Sequence, residues 1–143
     1  MAAKRCLRVL FFGWVCGVLI GCSSNAELLN ARAQEVNEVV IVEVAIHSSD
    51  AHFIKRQEVY AYIVVKECDG GGVRFPIEPW VSGQRVSGFS FKIDDDVVEL
   101  SGSIPVAVFN SYKRPCATLE GGSYGLGKLS SKAVPIDIRR RKP

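Results

Sequence analysis

The chain has 143 residues, of which 48% are hydrophobic and 23% charged, with 18 basic against 15 acidic side chains. That length holds one domain and not two, and the balance excludes a mainly disordered or fibrous protein. No internal repeat is present, so a solenoid is excluded as well.

The chain opens Met1-Ala-Ala-Lys4-Arg5-Cys6-Leu-Arg8, continues with an apolar run over residues 9–21, and then reads Cys22-Ser-Ser. A basic start, an apolar stretch and a small residue before a break form the layout of a secretory signal peptide, here residues 1–21. The run is shorter than the roughly 20 apolar residues that a spanning helix needs. Lys4, Arg5 and Arg8 suit the cytoplasmic side of a membrane.

Within that break, Leu19-Ile20-Gly21-Cys22 closely resembles the lipobox of bacterial lipoproteins. The resemblance covers only the signal and the cleavage point. It implies that the Cys22 sulfur receives diacylglycerol, that the chain is cut before Cys22, and that the new amine is acylated by a fatty acid such as palmitate. Three acyl chains exceed the two signals that stable anchoring takes. Ser23, where Asp commonly marks retention in the inner membrane, resembles lipoproteins sorted outward. The expected place is therefore the bacterial cell envelope, on the outer membrane facing the periplasm.

Cleavage there removes three of the 18 basic side chains and none of the 15 acidic ones, so the mature chain is formally neutral. A nucleic-acid role loses its electrostatic basis, and no such partner is expected. Arg139-Arg140-Arg141-Lys142 make a basic tail over residues 139–143, read as a solvated end or as a contact for anionic lipid or an acidic partner. Of five cysteines, Cys6 and Cys16 leave with the signal and Cys22 is the anchor. Cys68 and Cys116 remain as an even pair in an oxidising compartment and predict one disulfide, which would pin the two sheets of a sandwich. Such a bridge is worth about 3–4 kcal/mol by the chain-entropy model. A metal pair or free thiols are the alternatives, but neither cysteine has a Cys-x-x-Cys spacing or a nearby His.

Residues 22–36 carry the lipidated cysteine and then read as a flexible polar tether. From residue 37 the pattern has period two. Val40, Val42, Val44 and Ile46 share one face, as do Val59, Ala61, Ile63 and Val65, with Tyr60 and Tyr62 on the other. Val73, Phe75 and Ile77 follow, then Phe89, Phe91 and Ile93, Val98 and Leu100, Ile104, Val106 and Val108, Ala117 and Leu119, and Val134, Ile136 and Ile138. These are strand signatures rich in β-branched and aromatic residues. Asp69-Gly-Gly-Gly72, Asp94-Asp95-Asp96, Ser101-Gly102-Ser103 and the glycine-rich residues 121–127 read as turns. No mature segment of helical period is long enough to cover a sheet. The expected fold is all-β, an antiparallel β-sandwich of seven to eight short strands over residues 37–138, immunoglobulin-like or similar, with a small closed barrel as the alternative.

Chemistry is sparse along this chain. His47, Asp50 and His52 are close in sequence but read as a solvated loop at a strand end rather than a metal site. The three aspartates at 94–96 lack the EF-hand spacing. Residues 121–127 lack a P-loop lysine, and there is no Gly-x-Ser-x-Gly. No catalytic residue, metal or cofactor is expected, and no enzyme. Trp80, Tyr60, Tyr62, Tyr112 and Tyr124 are the candidates for exposed aromatics, with core packing as the alternative for each; Trp80 and Tyr124 are singled out as the possible binding surface, since such residues are enriched at binding hot spots. The expected function is a membrane-anchored lipoprotein that presents its sandwich to an envelope protein as an interaction or assembly module. An inhibitor or immunity protein that blocks an exported hydrolase with a protruding loop is one alternative. A small-molecule or glycan binder with an aromatic pocket around Trp80 is another.

Overall fold

This computed structural model describes residues 23–124 and 128–139, and the described chain is already in a strand at Ser23. Strand β1 is Ser23–Ala26 and β2 is Leu28–Val36. The stretch expected to be a tether is therefore part of the domain from Ser23 onward; Cys22 itself and the expected signal peptide lie outside the described residues. Apart from Leu28, the inward positions are small. Ala26, Ala31 and Ala33 are buried, and a register shift between Leu28 and Asn30 resets the alternation. Alanine is a poor strand former, so these strands exist through their pairing and not through propensity.

Then follow β3 (Val39–His47), α1 (Ser48–Arg56), β4 (Tyr60–Glu67), β5 (Phe75–Ile77), β6 (Trp80–Val81) and β7 (Gln84–Arg85). A 3-10 turn at Val86–Gly88 leads to β8 (Val97–Pro105), α2 (Val106–Phe109), β9 (Pro115–Gly122), β10 (Lys128–Ser131), β11 (Val134–Pro135) and β12 (Asp137–Arg139). One sheet has the order β1-β10-β9-β4-β5, with β11 also on β9; the other has the order β12-β2-β3-β8-β6-β7. The fold is an all-β sandwich, as expected, but its sheets are mixed rather than purely antiparallel. β1 runs parallel to β10, and β12 runs parallel to β2. The cause is that the first and last segments of the chain travel side by side. Each leaves one sheet for the other, the first at Glu27 and the last at Ile136.

Between the sheets, Val40, Val42, Val44 and Ile46 meet Val59, Ala61, Ile63 and Val65, with Leu100, Ile104 and Leu119. Each fully buried Val, Leu or Ile contributes about 1.5–3 kcal/mol, which is the main force holding the layers together. Ser101-Gly102-Ser103, expected as a turn, is the middle of β8. Gly102 faces the other sheet, where a Cβ would collide with Ile77 and crowd the Glu78 carbonyl. The glycine serves close approach and not a bend.

Three further expectations change. The stretch around Phe89, Phe91 and Ile93 is irregular and not a strand. Phe91 is still fully buried, and its carbonyl accepts a hydrogen bond from Lys55 Nζ at 2.9 Å, so a helix residue replaces a ladder partner. Val106 and Val108 belong to α2. The expected loop after His47 is α1, with Asp50 in its first turn and Lys55 and Arg56 in its last, the charge order that suits the helix dipole. Ala51 and Ile54 anchor it in the core. Among the described residues no helix is long and apolar enough to cross a membrane.

Cys68 and Cys116 form a disulfide, with their Cα atoms 5.0 Å apart. Cys68 follows β4 and Cys116 lies in β9, its neighbour in the same sheet. The bridge thus staples two adjacent strands and does not pin the two sheets to each other. The Glu67 carboxylate accepts the backbone N–H groups of Lys113 (2.7 Å) and Arg114 (3.0 Å) beside it.

Candidate functional site

Alternation along β4 turns Val59, Ala61, Ile63 and Val65 inward, and so turns Tyr60, Tyr62 and Val64 outward. On β9 these pair with Gly122, Glu120 and Thr118, and Val64 pairs with Pro76 on β5. Gly122 has no side chain to fill the space beside Tyr60. The result is an open groove of about 610 Å³ lined by Tyr60, Tyr62, Val64, Arg74, Pro76 and Glu120. Tyr60 and Tyr62 are 38% and 42% exposed, although large apolar rings usually hide.

A charge pair crosses the groove. The Arg74 guanidinium donates to the Glu120 carboxylate, and Thr118 Oγ1 donates to the other carboxylate oxygen at 2.9 Å. Partial burial alone would raise the Glu120 pKa. The hydrogen bonds from Arg74 and Thr118, together with the charges of Arg74 and Lys66, outweigh it and hold Glu120 below the usual carboxylate range. At neutral pH the groove therefore joins an apolar floor to a fixed ion pair. Beyond the groove, burial and then the charge of Glu67 raise the pKa of Tyr112, whose hydroxyl donates to the Val65 carbonyl.

One end of the groove is an aromatic rim. Tyr60 meets Phe89 edge to face at 5.3 Å between ring centroids, and Tyr124 at 5.9 Å. Phe89 follows the 3-10 turn with φ 53°, in the left-handed region, which costs a bulky residue about 1–3 kcal/mol. Such strain persists only where the surroundings dictate it, and here it holds a ring against Tyr60. Tyr124 is 97% exposed, and Arg56, Glu58 and Ser123 border it.

Trp80 and Tyr124 do not share a surface. Trp80 pairs with Ser101 on the outer face of the other sheet, is 38% exposed, and carries the Arg85 guanidinium over its ring at 5.2 Å. Arg85 in turn lies 3.8 Å from Glu78. His47, Asp50 and His52 do not converge. Asp50 accepts the Glu27 N–H at 3.3 Å where the chain changes sheet, and His47 lies on the surface 3.9 Å from the Glu27 carboxylate. Among the described residues no group of three or more His, Cys, Asp or Glu side chains is gathered to hold a metal ion. Tyr60 and Tyr62 were readable from period two as facing away from the core. The Arg74–Glu120 pair was not, because its partners are 46 residues apart in sequence.

No family model matches the chain, and no curated protein matches it.

Proposed function

We propose that the chain is a lipid-anchored envelope lipoprotein that displays its sandwich to the periplasm as a protein-interaction module, with the groove at Tyr62 as its contact surface. The lipobox resemblance of Leu19-Ile20-Gly21-Cys22 supports the anchor, with Cys22 as the acylated residue. One observation carries the contact surface: two neighbouring tyrosines stand exposed over Val64 and Pro76, flanked by the bonded Arg74 and Glu120. Tyrosine offers large, stiff contact area at low entropic cost, and a fixed ion pair sets register and rejects wrong partners.

The test is crosslinking and pull-down from detergent-solubilised membranes, with wild type, Cys22→Ser and Tyr62→Ala compared. Wild type should recover a defined envelope protein. A hot-spot truncation costs about 2 kcal/mol or more, so Tyr62→Ala should weaken that recovery by about 30-fold. Cys22→Ser should lose recovery through release from the membrane. Equal recovery by wild type and Tyr62→Ala would reject the groove, and saturable sugar or metal binding without a protein partner would reject the module.

A further inference from the structure

We propose that the end of the sandwich bearing Tyr60, Phe89, Tyr124 and Lys128 rests in the lipid headgroup layer, held there because the acyl anchor has no slack. This rests on the anchor reading above and adds an orientation to it.

The register supplies the geometry. Ser23 pairs with Lys128, Lys128 with Gly122, and Gly122 with Tyr60, so a single rung crosses four strands. Cys22 is one peptide bond before Ser23, which sets their Cα atoms about 3.8 Å apart. A flexible linker of n residues would let the body float by about 5–6 Å × √n. Here no residue lies between the acylated position and a paired strand. Acyl chains buried in hydrocarbon therefore bring Ser23, and with it the whole rung, to headgroup depth.

The side chains at this end suit that place. Tyr124 is almost fully exposed, Tyr60 stands beside it, and Phe89 stands against Tyr60. Rings with one apolar and one wet side collect at membrane interfaces. Lys128 is exposed on the rung and Arg56 borders Tyr124, against the single acid Glu58 there, so cations face anionic headgroups. The aspartates at 94–96 precede Val97, which pairs with His47 on the other sheet, so they lie across the sandwich from Tyr60. The Asp96 carbonyl bonds the Ser48 N–H at the opposite end of α1 from Arg56, about 13 Å along a nine-residue helix. The Trp80 rung runs through Ser101 and Glu43 to Arg32, nine residues beyond Ser23 and up to about 30 Å away at 3.3 Å per residue. Arg139 pairs with Gln34, farther still, so the start of the basic tail faces away from the lipid.

The experiment uses the acylated full chain, purified in detergent and reconstituted into phosphatidylethanolamine–phosphatidylglycerol vesicles with brominated acyl chains. Trp80 is the single tryptophan of the mature chain, since Trp14 leaves with the signal. Wild-type emission should be unaffected by bromine. The Trp80→Phe, Tyr124→Trp double variant should lose about half its emission or more, as expected for a ring 5–10 Å into the interface. Inserting about 12 Gly-Ser residues after Cys22 should restore most of that emission by giving the body slack. An unchanged circular dichroism spectrum checks the fold of each variant. Unquenched emission from acylated, vesicle-bound double variant would overturn the seating and leave the lipoprotein reading intact. A chain that carries no acyl group and stays off the vesicles would overturn both.

Discussion

Tyr60 and Tyr124 meet edge to face, with ring centroids 5.9 Å apart and planes at 82°. One ring is fixed by a strand and the other stands almost entirely in solvent. Their contact joins the groove on the sheet face to the end of the sheet that holds Ser23. The proposed partner surface and the proposed lipid-facing rim are thus neighbours that share Tyr60, and under those two proposals a partner approaches along the membrane rather than from above.

The disulfide should carry much of the stability. It links residues 48 positions apart, and closing such a loop is worth about 4 kcal/mol by the chain-entropy model. Cys68→Ala with Cys116→Ala should lower the unfolding free energy by 2–5 kcal/mol, read from urea titration. Peptide mass spectrometry without reductant should show the two cysteines linked. Alkylatable thiols in the native protein would contradict this.

The Arg74–Glu120 pair should leave a pH signature. The folded pKa of Glu120 is lowered from its ordinary 4.5, so its contribution is present above that value and is lost as pH falls through the folded one. Wild type should exceed Glu120→Gln in stability at neutral pH, and the gap should close in acid. Both side chains are at least a third exposed, so the gap should stay below about 1 kcal/mol. A gap that widens as pH falls would show that the pairing is misassigned.

Gly121 lies under the groove. A Cβ there would meet the Tyr60 carbonyl at 2.5 Å and Val59 Cγ1 at 2.9 Å, and a backbone atom cannot swing aside. Gly121→Ala should cost about 1–3 kcal/mol as overpacking and weaken the Tyr60 contacts. Gly88→Ala, whose nearest neighbour would be 3.7 Å away, is the control and should be nearly neutral. Thermal denaturation of the two variants side by side measures the difference.

What the sequence disclosed depended on the size of the side chains that carried the signal. Val40, Val42, Val44 and Ile46 announced β3 because β-branched residues at period two leave little alternative. Ala31 and Ala33 do the same job in β2 without the bulk, so that strand passed for a tether. α1 has only nine residues, too few for a helical period to stand out beside two histidines and an aspartate that suggest a loop. Gly102 shows that one glycine signals either a turn or close packing, and only the opposite sheet decides between them. The disulfide was legible from counting cysteines once the expected signal peptide was set aside, but not that it would join neighbours in one sheet. At the site, the sequence offered five aromatics without deciding between surface and core; Trp80 and Tyr124 are exposed and Tyr112 is buried. The separation of Trp80 and Tyr124 onto different sheets, and the pairing of Arg74 with Glu120, depend on how distant segments meet.

The most direct test of the anchor is the intact mass of the protein extracted from membranes, together with sequencing of its N-terminal peptide. The proposed processing requires a chain that begins at Cys22 and is heavier than its sequence by a diacylglycerol and one further acyl group. A product that still begins at Met1, or that begins at Cys22 without fatty acid, would contradict it.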